Sequence, residues 1–445
     1  MKFLYYLFRL GYKLQQWMLK RFTPVGLGIL ICLMATLIVG IDTKQTTTYQ
    51  ILTFLLAVLI IAVAFSFYFP GRFTIRRSLP RFATVGTQLS YRVTITNRSQ
   101  KMQTGLLFTE DIAHPKFSLA QFKRIIKAAS KKGSFHSLIY IYYRWLKSIS
   151  RQKRAKTKAV AVPDIKPQST TEIKGKIIPT HRGVVRLRGV TILRPDPFNL
   201  FNATKTISQP GSLLVLPKRY QLPTIQLPGS RMSQSGTMSQ VASKGDSEEF
   251  IALRDYRPGD PLRKIHWKSW AKTGKPIVKV EQSEFFVRQA LILDTFQSSS
   301  HSEILEEAIA VAASFACDFQ TQESLLDLMF VGLDSYSFPS DRGFDNSEQM
   351  LEVLAGVTPC QDATCDRLTA TVSEKASMLS GCICILISWD EQRQKLINYL
   401  QRLNIPLLIL LITEEGQYRD LNLKNLYILP LGKIQAALMA IDTKH

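Results

Sequence analysis

Apolar and polar residues follow different periods in successive parts of the chain. Residues 23–41 and 49–69 are apolar runs that contain no charged side chain. Each run is long enough to cross roughly 30 Å of hydrocarbon as a helix, and residues 42–48 form a short polar link between them. The pattern predicts a transmembrane helical hairpin over residues 23–70.

Basic residues flank this hairpin on both sides and predict its orientation. Lys20 and Arg21 precede it, and Arg72 and Arg76 follow it. Because positive flanks favour the cytoplasmic side of a membrane, we expect a multi-pass protein of the inner (plasma) membrane with both termini in the cytoplasm. Residues 1–22 mix aromatic and basic side chains, which is typical of a basic amphipathic helix at a membrane surface.

After the hairpin the period changes to two. Tyr91, Val93 and Ile95 alternate with polar residues, as in a strand with one buried face. Similar runs follow at residues 105–108, 173–178, 184–193 and 213–216. Short strands separated by Asn, Gly and Pro turns predict a small β-sandwich over residues 71–225.

Residues 115–168 interrupt this predicted sandwich with 14 basic residues, one acid and seven interleaved aromatic residues. Such a mixture suits an anionic lipid surface or a protein partner, a solvated insertion, or stacking on single-stranded nucleic acid. We expect contact with membrane lipids or a partner, because the predicted hairpin holds the insertion near the membrane. Nucleic acid is the least favoured of these alternatives.

The second half of the chain has an α/β pattern. Residues 226–247 are rich in Ser, Gly and Gln and predict a flexible connector. Within residues 287–445, apolar strands alternate with amphipathic helices, beginning with a strand at 290–293 and a helix at 304–319. This alternation predicts a mainly parallel sheet with helices on both faces.

The formal net charge of +23 is unevenly distributed. From residue 287 onward there are 11 Lys and Arg against 21 Asp and Glu, so the positive charge lies before that point. A basic front half joined to an acidic back half indicates an anionic surface near the first part of the chain.

Residues 248–286 carry dense turn and aromatic signals between the predicted sandwich and the α/β part. The Arg-Pro-Gly-Asp-Pro sequence at residues 257–261 is typical of a tight turn that enters a helix. We expect Asp260 to cap a helix that begins at the following proline and ends near Gly274, a residue suited to a left-handed C-terminal position.

Aromatic and charged residues crowd this predicted helix. Trp267 and Trp270 lie on it, and two tryptophans within so few turns predict burial. Arginines and acids alternate nearby, so a semi-buried ionic network is the structural interpretation of these charges.

This stretch resembles the signature of the domain of unknown function fifty-eight family, a large family of bacterial membrane proteins. The resemblance is specific here and extends more loosely over the rest of the chain. The matching residues are Phe250, Leu253, Arg254, Tyr256, Pro258, Gly259, Asp260, Arg263, Ile265, His266, Trp267, Ala271 and Gly274.

The resemblance implies a von Willebrand factor type A-like fold for residues 287–445. That fold commonly holds Mg²⁺ with an Asp-x-Ser-x-Ser loop after its first strand, assisted by a Thr and an Asp from later loops. The corresponding residues are Asp294, Ser298, Thr358 and Asp390. Phe296 replaces the middle serine and has no oxygen to offer, so we expect weak Mg²⁺ binding at most, with no other cofactor.

An enzymatic interpretation depends on His266. Together with Asp255 or Asp260 and with Ser269, this histidine could form the triad of a hydrolase. The sequence has no nucleophile elbow and no phosphate-binding loop, so we expect a protein that is not an enzyme.

The preferred functional hypothesis is a non-enzymatic, membrane-anchored cytoplasmic adaptor or scaffold. The resemblance implies that its partner is a MoxR-type ATPase of the AAA+ class. We expect partner contacts at the signature residues Arg254, Tyr256, Pro258, Gly259, Asp260, Arg263, His266 and Trp267. The alternatives are a metal-dependent protein-binding receptor that uses the degenerate Mg²⁺ site, and the hydrolase centred on His266.

Overall fold

The computed structural model of the protein divides into two units, Met1–Leu216 and Pro217–His445. Each unit has a hydrophobic core of its own. The residues that the structure describes are 2–39, 46–67, 69, 71–113, 119, 122–123, 126, 137–223, 244–285, 288–297, 302–318, 325–331, 335–338, 345–360, 365–418, 423 and 425–441.

Three helices begin the first unit: α1 (Lys2–Arg21), α2 (Pro24–Val39) and α3 (Thr46–Phe67). Within α3, residues 47–67 have a mean hydropathy of 2.5 and are long enough to cross a membrane. The apolar helix α2 contacts α3 but is shorter than a span. Among the described residues, one helix therefore has the length and composition of a membrane span, where the sequence predicted two; the residues that link α2 to α3 lie outside the description.

Two sheets follow in the first unit and enclose one apolar core. The first has the strand order β1-β3-β7-β5, and the second has the order β2-β9-β8-β4-β6. The strands are β1 (Phe73–Ser78), β2 (Phe82–Thr84), β3 (Leu89–Asn97), β4 (Leu106–Ile112), β5 (Ala155–Thr157), β6 (Val160–Val162), β7 (Thr170–Pro179), β8 (Gly183–Pro195) and β9 (Asn202–Leu216).

Side chains that alternate along the strands build this core. Tyr91, Val93 and Ile95 of β3 are buried together with Val190 and Ile192 of β8, so the predicted two-residue period is confirmed. The basic insertion is shorter than predicted, because β5 and β6 pair with β7 and β4 inside the sheets. A helix, α4 (Ser137–Arg151), is the longest described element within the predicted insertion.

A turn of the second sheet holds the sheets to the first helices. The carboxylate of Asp196 accepts hydrogen bonds from the backbone N–H groups of Leu200 and Phe201 at 2.6 and 2.8 Å. These two apolar side chains pack against Ala62 of α3. The Thr23 amide donates to the Leu200 carbonyl at 3.1 Å. The sheets and the apolar helices of this unit are therefore joined by a buried contact.

The second unit contains an antiparallel pair of strands and a six-stranded sheet with the order β14-β13-β12-β15-β16-β17. Its strands are β10 (Lys244–Asp255), β11 (Ile277–Phe285), β12 (Arg288–Leu293), β13 (Leu325–Val331), β14 (Ser335–Phe338), β15 (Gly381–Leu386), β16 (Leu407–Thr413) and β17 (Leu426–Pro430). Its helices are α5 (Trp267–Thr273), α6 (Glu303–Asp318), α7 (Asp345–Gly356), α8 (Cys365–Lys375), α9 (Glu391–Arg402) and α10 (Ile434–Met439).

The six-stranded sheet confirms the predicted α/β pattern. Strands β13, β12, β15, β16 and β17 are parallel, and only β14 runs against its neighbour. Because helices cover such a sheet on both faces, the central strands β15 and β16 are buried along their whole length. The predicted connector, residues 226–247, lies mainly outside the description, and its last residues already belong to β10.

Candidate functional site

The family-like segment forms a hairpin, here called the signature hairpin, that comprises β10, β11 and the residues between them (244–285). The register pairs Asp255 with Ile277 at the end of the strands. Beyond this point the chain folds back, so that Ile265 pairs with Val278. Both of these side chains are buried and form a small core at the tip.

Asp260 stabilises the turn at the tip of the hairpin and does not cap a helix. Its two carboxylate oxygens accept hydrogen bonds from the Arg254 guanidinium at 2.6 and 2.7 Å, and the Arg257 amide donates to it at 2.8 Å. The hydrogen bond from Arg254 is the main cause that lowers the pKa of Asp260 below its ordinary value. Gly259 takes a φ of 106°, which only glycine adopts readily. The turn prediction is confirmed.

The predicted helix cap at Asp260 is wrong, and so is the continuous helix after it. Residues Leu262–Lys264 form one turn of 3-10 helix without a side-chain cap, and α5 starts only at Trp267. Ile265 stays extended because it pairs with Val278. The predicted C-terminal residue is confirmed, since Gly274 is left-handed with a φ of 70°.

The tryptophans stack on each other at the surface. The rings of Trp267 and Trp270 lie 5.3 Å apart and nearly parallel, at 18°. Trp267 is 64% exposed and Leu262 is 67% exposed, so the predicted burial of Trp267 is wrong. Two strands and one short helix leave Trp267 exposed and cover Trp270 only in part. The result is an exposed aromatic platform.

Positive charge surrounds this platform. Between Tyr256 and Lys275 there are six Lys and Arg residues and one acid, Asp260, and that acid is already bound by Arg254. Lys268 and Lys272 lie on α5 beside the indoles and are exposed. We describe the indoles, Leu262 and these lysines as the aromatic–basic patch.

The structure brings the eight predicted signature residues together in the hairpin. Arg254 is the penultimate residue of β10, the residues from Tyr256 to Asp260 form the turn, and Arg263, His266 and Trp267 follow it. The ring Nδ1 of His266 lies 2.6 Å from the hydroxyl of Ser269 in the same helical turn. The hydrolase hypothesis added Asp255 or Asp260 to this pair, and of these two acids Asp260 is bound by Arg254.

A second cluster of predicted residues lies at the carboxyl end of the parallel sheet. Asp294 follows β12 and is fully buried, and Asp390 is the N-cap residue of α9. The Arg393 side chain lies between them. Its Nε and Nη2 donate to the Asp294 carboxylate at 2.9 and 3.1 Å, and its Nη1 donates to Asp390.

Arg393 also contacts Phe296, the residue that breaks the predicted metal motif. Its Nη2 donates to the Phe296 carbonyl at 3.0 Å, and its guanidinium carbon lies 5.9 Å from the centre of the Phe296 ring. Burial raises the pKa of Asp294, whereas the bonds from Arg393 and from two backbone amides lower it. The guanidinium thus supplies positive charge where the sequence predicted a cation.

These residues do not fit a divalent cation. Mg²⁺ needs several free oxygens in octahedral geometry, but the two acids already bind Arg393. Thr358 is exposed beside the segment that pairs with Phe296, and Ser298 lies outside the described residues. In the part of the chain that the structure describes, no three Asp, Glu, His or Cys side chains gather as a metal cluster.

Arg393 was not predicted from the sequence as part of this cluster. The sequence signal that was available is the spacing of Asp390 and Arg393, which places an arginine one turn after the capping acid of α9 and favours an ion pair between them. Contact with Asp294 is not visible in the sequence, because the two residues are 99 positions apart.

Residues 252–389 match the family model described as "Protein of unknown function DUF58". The matched region contains the tip of the signature hairpin and continues through Asp294 to the residue before Asp390. The uncharacterized protein YeaD of Bacillus subtilis is 23% identical over 210 residues, which are 47% of this chain and 51% of YeaD. The chain thus spans about half the length of this curated relative.

Two solved structures are similar to parts of the chain. The CARDB domain of PF1109 from Pyrococcus furiosus is 11% identical, with a TM-score of 0.17, over 33% of this chain and 89% of that domain. A beta-glucosidase from Listeria innocua is 10% identical, with a TM-score of 0.18, over 33% of this chain and 16% of the enzyme. Such low scores indicate neither a shared architecture nor a shared activity.

Proposed function

Because this chain belongs to the DUF58 family, and because its signature residues form an exposed surface, we propose that it is a non-enzymatic, membrane-anchored scaffold that docks a protein partner on the signature hairpin. The partner surface is acidic, with an apolar pocket for the indoles. The partner class that the family resemblance implies is a MoxR-type AAA+ ATPase.

The observation that carries this proposal is the exposed indole of Trp267, which stacks on the half-buried indole of Trp270. Tryptophan is enriched among the residues that dominate protein interfaces, where it fills a pocket and is surrounded by weaker polar contacts. The lysines of α5 flank the indoles and favour a partner of opposite charge, because complementary potentials speed association and exclude wrong partners.

The turn around Asp260 gives the aromatic–basic patch a defined shape. The bidentate bond to Arg254 and the bond from the Arg257 amide fix the loop before α5. A surface that is ordered before binding loses less conformational entropy on association. In this proposal the signature residues support the docking surface and carry no chemistry.

The anchor of the proposed scaffold is α3, aided by the shorter α2. Lys20 and Arg21 before the apolar helices, and Arg72 and Arg76 after them, support a cytoplasmic location for both termini under the positive-inside rule. In this multi-pass arrangement the docking hairpin faces the cytoplasm.

The type A-like α/β domain acts without a metal in this proposal. The Asp294–Arg393–Asp390 cluster supports this feature, since a guanidinium already binds both acids. The metal-dependent receptor is therefore the weaker alternative. The hydrolase is weaker as well, because Arg254 binds one of its two candidate acids, Asp260, and the sequence has no nucleophile elbow.

Site-specific photo-crosslinking in cells tests the proposal. A benzophenone amino acid replaces Leu262, which lies in the patch, and in a matched control it replaces Tyr418, which is exposed elsewhere on the same unit. We expect position 262 to cross-link to an AAA+ ATPase, with no such product from position 418 or after Trp267→Ala. Adducts to lipid alone at position 262, or equal ATPase adducts at both positions, would contradict the proposal.

A further inference from the structure

Helix α1 presents three separate strips along its length. A helix advances about 100° per residue, so residues spaced by three, four or seven positions share a side. One strip contains Tyr5, Phe8 and Tyr12. A second is basic and a third is apolar.

The first strip packs on α4. The Phe8 ring lies 5.0 Å from the Tyr142 ring and 5.9 Å from the Trp145 ring, and the Tyr12 ring lies 5.8 Å from Trp145. Trp145 is 1% exposed. This aromatic cluster joins the N-terminal helix to the basic insertion, so α1 and α4 form one structural element.

The apolar strip of α1 lies roughly 100° or more away from this contact, and its large side chains face outward. All its members are about half or more exposed. They are Phe3, Leu7, Leu10, Leu14 and Trp17. The neighbouring strip is basic and consists of Lys2, Arg9, Lys13 and Lys20. Helix α1 contains five basic residues and no acid.

Helix α4 repeats this combination on its own outer side. Tyr140 and Tyr143 are exposed, and Arg144 stacks over the Tyr140 ring at 5.7 Å. Like α1, α4 contains no acidic residue. The joined helices therefore expose apolar and aromatic side chains, and every charged residue on the two helices is basic.

We propose that the α1–α4 pair lies in the plane of the membrane surface and binds anionic phospholipid, with the apolar strip among the upper acyl chains and the basic strip at the headgroups. This inference rests on the proposed membrane anchor, and it assigns α4, the described helix of the basic insertion, to the same lipid-binding element. Amphipathic helices with basic polar edges bind anionic bilayers in this way.

Continuity with the apolar helices favours lipid over a protein partner. Helix α1 ends at Arg21, and the apolar α2 begins three residues later at Pro24. The C-terminal end of the apolar strip is therefore close in sequence to the point where the proposed anchor enters the bilayer. Trp17 at that end of the strip, and the tyrosines of α4, have the ring types that prefer the membrane interface.

Photo-crosslinking of the full chain in nanodiscs of equimolar phosphatidylcholine and phosphatidylglycerol tests this inference. A benzophenone amino acid is placed at Leu10 on the apolar strip, at Ile60 on α3, or at Lys174 on the exposed side of β7. Mass spectrometry then identifies the adducts. We expect lipid adducts at positions 10 and 60, and none at position 174.

The three positions separate failure of this inference from failure of the anchor. Lipid adducts at position 60 without any at position 10 would overturn the surface assignment and leave the anchored scaffold intact. A lack of adducts at both positions would overturn the anchor and, with it, the surface assignment. Protein adducts alone at position 10 in cells would show that a protein covers the strip and would also overturn the inference.

The basic strip provides a second readout. With the wild-type strip we expect phosphatidylglycerol to exceed phosphatidylcholine among the position-10 adducts by at least about threefold. Changing Lys2, Arg9, Lys13 and Lys20 to Gln should bring this ratio close to one. The same preference in both proteins would contradict the assignment of these residues to anionic headgroups.

Discussion

The Arg393 guanidinium on α9 donates two hydrogen bonds to the carboxylate of Asp294 after β12, at 2.9 and 3.1 Å. Both side chains are almost completely buried. Loss of one partner from a buried ion pair leaves the other charge without compensation, which is far more costly than loss of an exposed pair. Arg393 therefore ties α9 to the carboxyl edge of the sheet.

We predict that Arg393→Met lowers the free energy of unfolding by about 3–5 kcal/mol. Lys395→Met on the same helix is the matched control, because the Lys395–Glu391 pair is mostly exposed and its loss should change stability by about 0.5 kcal/mol or less. Denaturant unfolding of the full chain measures both. Equal effects of the two substitutions would contradict the role of Arg393.

The same variant should lose more stability with rising pH than the wild type does. Burial raises the pKa of Asp294 above 3.8, and Arg393 opposes that rise. In Arg393→Met the folded-state pKa stands above the unfolded value, so stability should decrease as pH rises from 3.8 through the folded-state pKa. Unfolding measured across acidic and neutral pH tests this sign. Stability that increased over this window would show that Asp294 stays ionised without Arg393.

Mg²⁺ should leave the wild-type unfolding midpoint unchanged, because Arg393 already binds both acids. EDTA should be equally without effect. The measurement is the thermal midpoint of the full chain with millimolar Mg²⁺ or with EDTA. A Mg²⁺-dependent increase that disappears in Asp294→Ala would favour the metal-dependent receptor over the scaffold.

Trp145→Ala should lower the free energy of unfolding of the first unit by about 3–5 kcal/mol, as expected when a buried tryptophan is truncated. Trp145 is 1% exposed between α1 and α4, whereas Tyr143 on the same helix is 62% exposed. Tyr143→Ala is therefore the control and should have little effect. Hydrogen exchange measures the effect, because α1 amides should lose protection in Trp145→Ala. Unchanged protection would contradict the packing of α1 on α4.

The sequence predicts elements of regular period better than it predicts the signature hairpin. The two-residue period of Tyr91, Val93 and Ile95 depends on a local pattern, and the structure confirms it. The cap at Asp260 was wrong because the carboxylate had a competing partner, Arg254, six residues before it. Local capping rules do not indicate which of two available partners a carboxylate binds.

Tertiary contacts explain the other differences. Burial of Trp267 was inferred from two tryptophans within a few turns, but burial depends on a second layer that the hairpin does not provide. Asp294 was correctly placed at the end of the first α/β strand. Its partner Arg393 belongs to a helix after β15, and no local pattern connects residues so far apart in sequence.

The most direct test of partner docking on the signature hairpin is the affinity of the full chain in nanodiscs for a purified MoxR-type ATPase. Truncation of a central interface tryptophan typically costs at least about 2 kcal/mol, or roughly 30-fold in Kd. We expect Trp267→Ala to weaken binding by at least that factor, and Tyr418→Ala, the exposed control, to leave it unchanged. Equal affinities of wild type and Trp267→Ala would contradict docking on the signature hairpin.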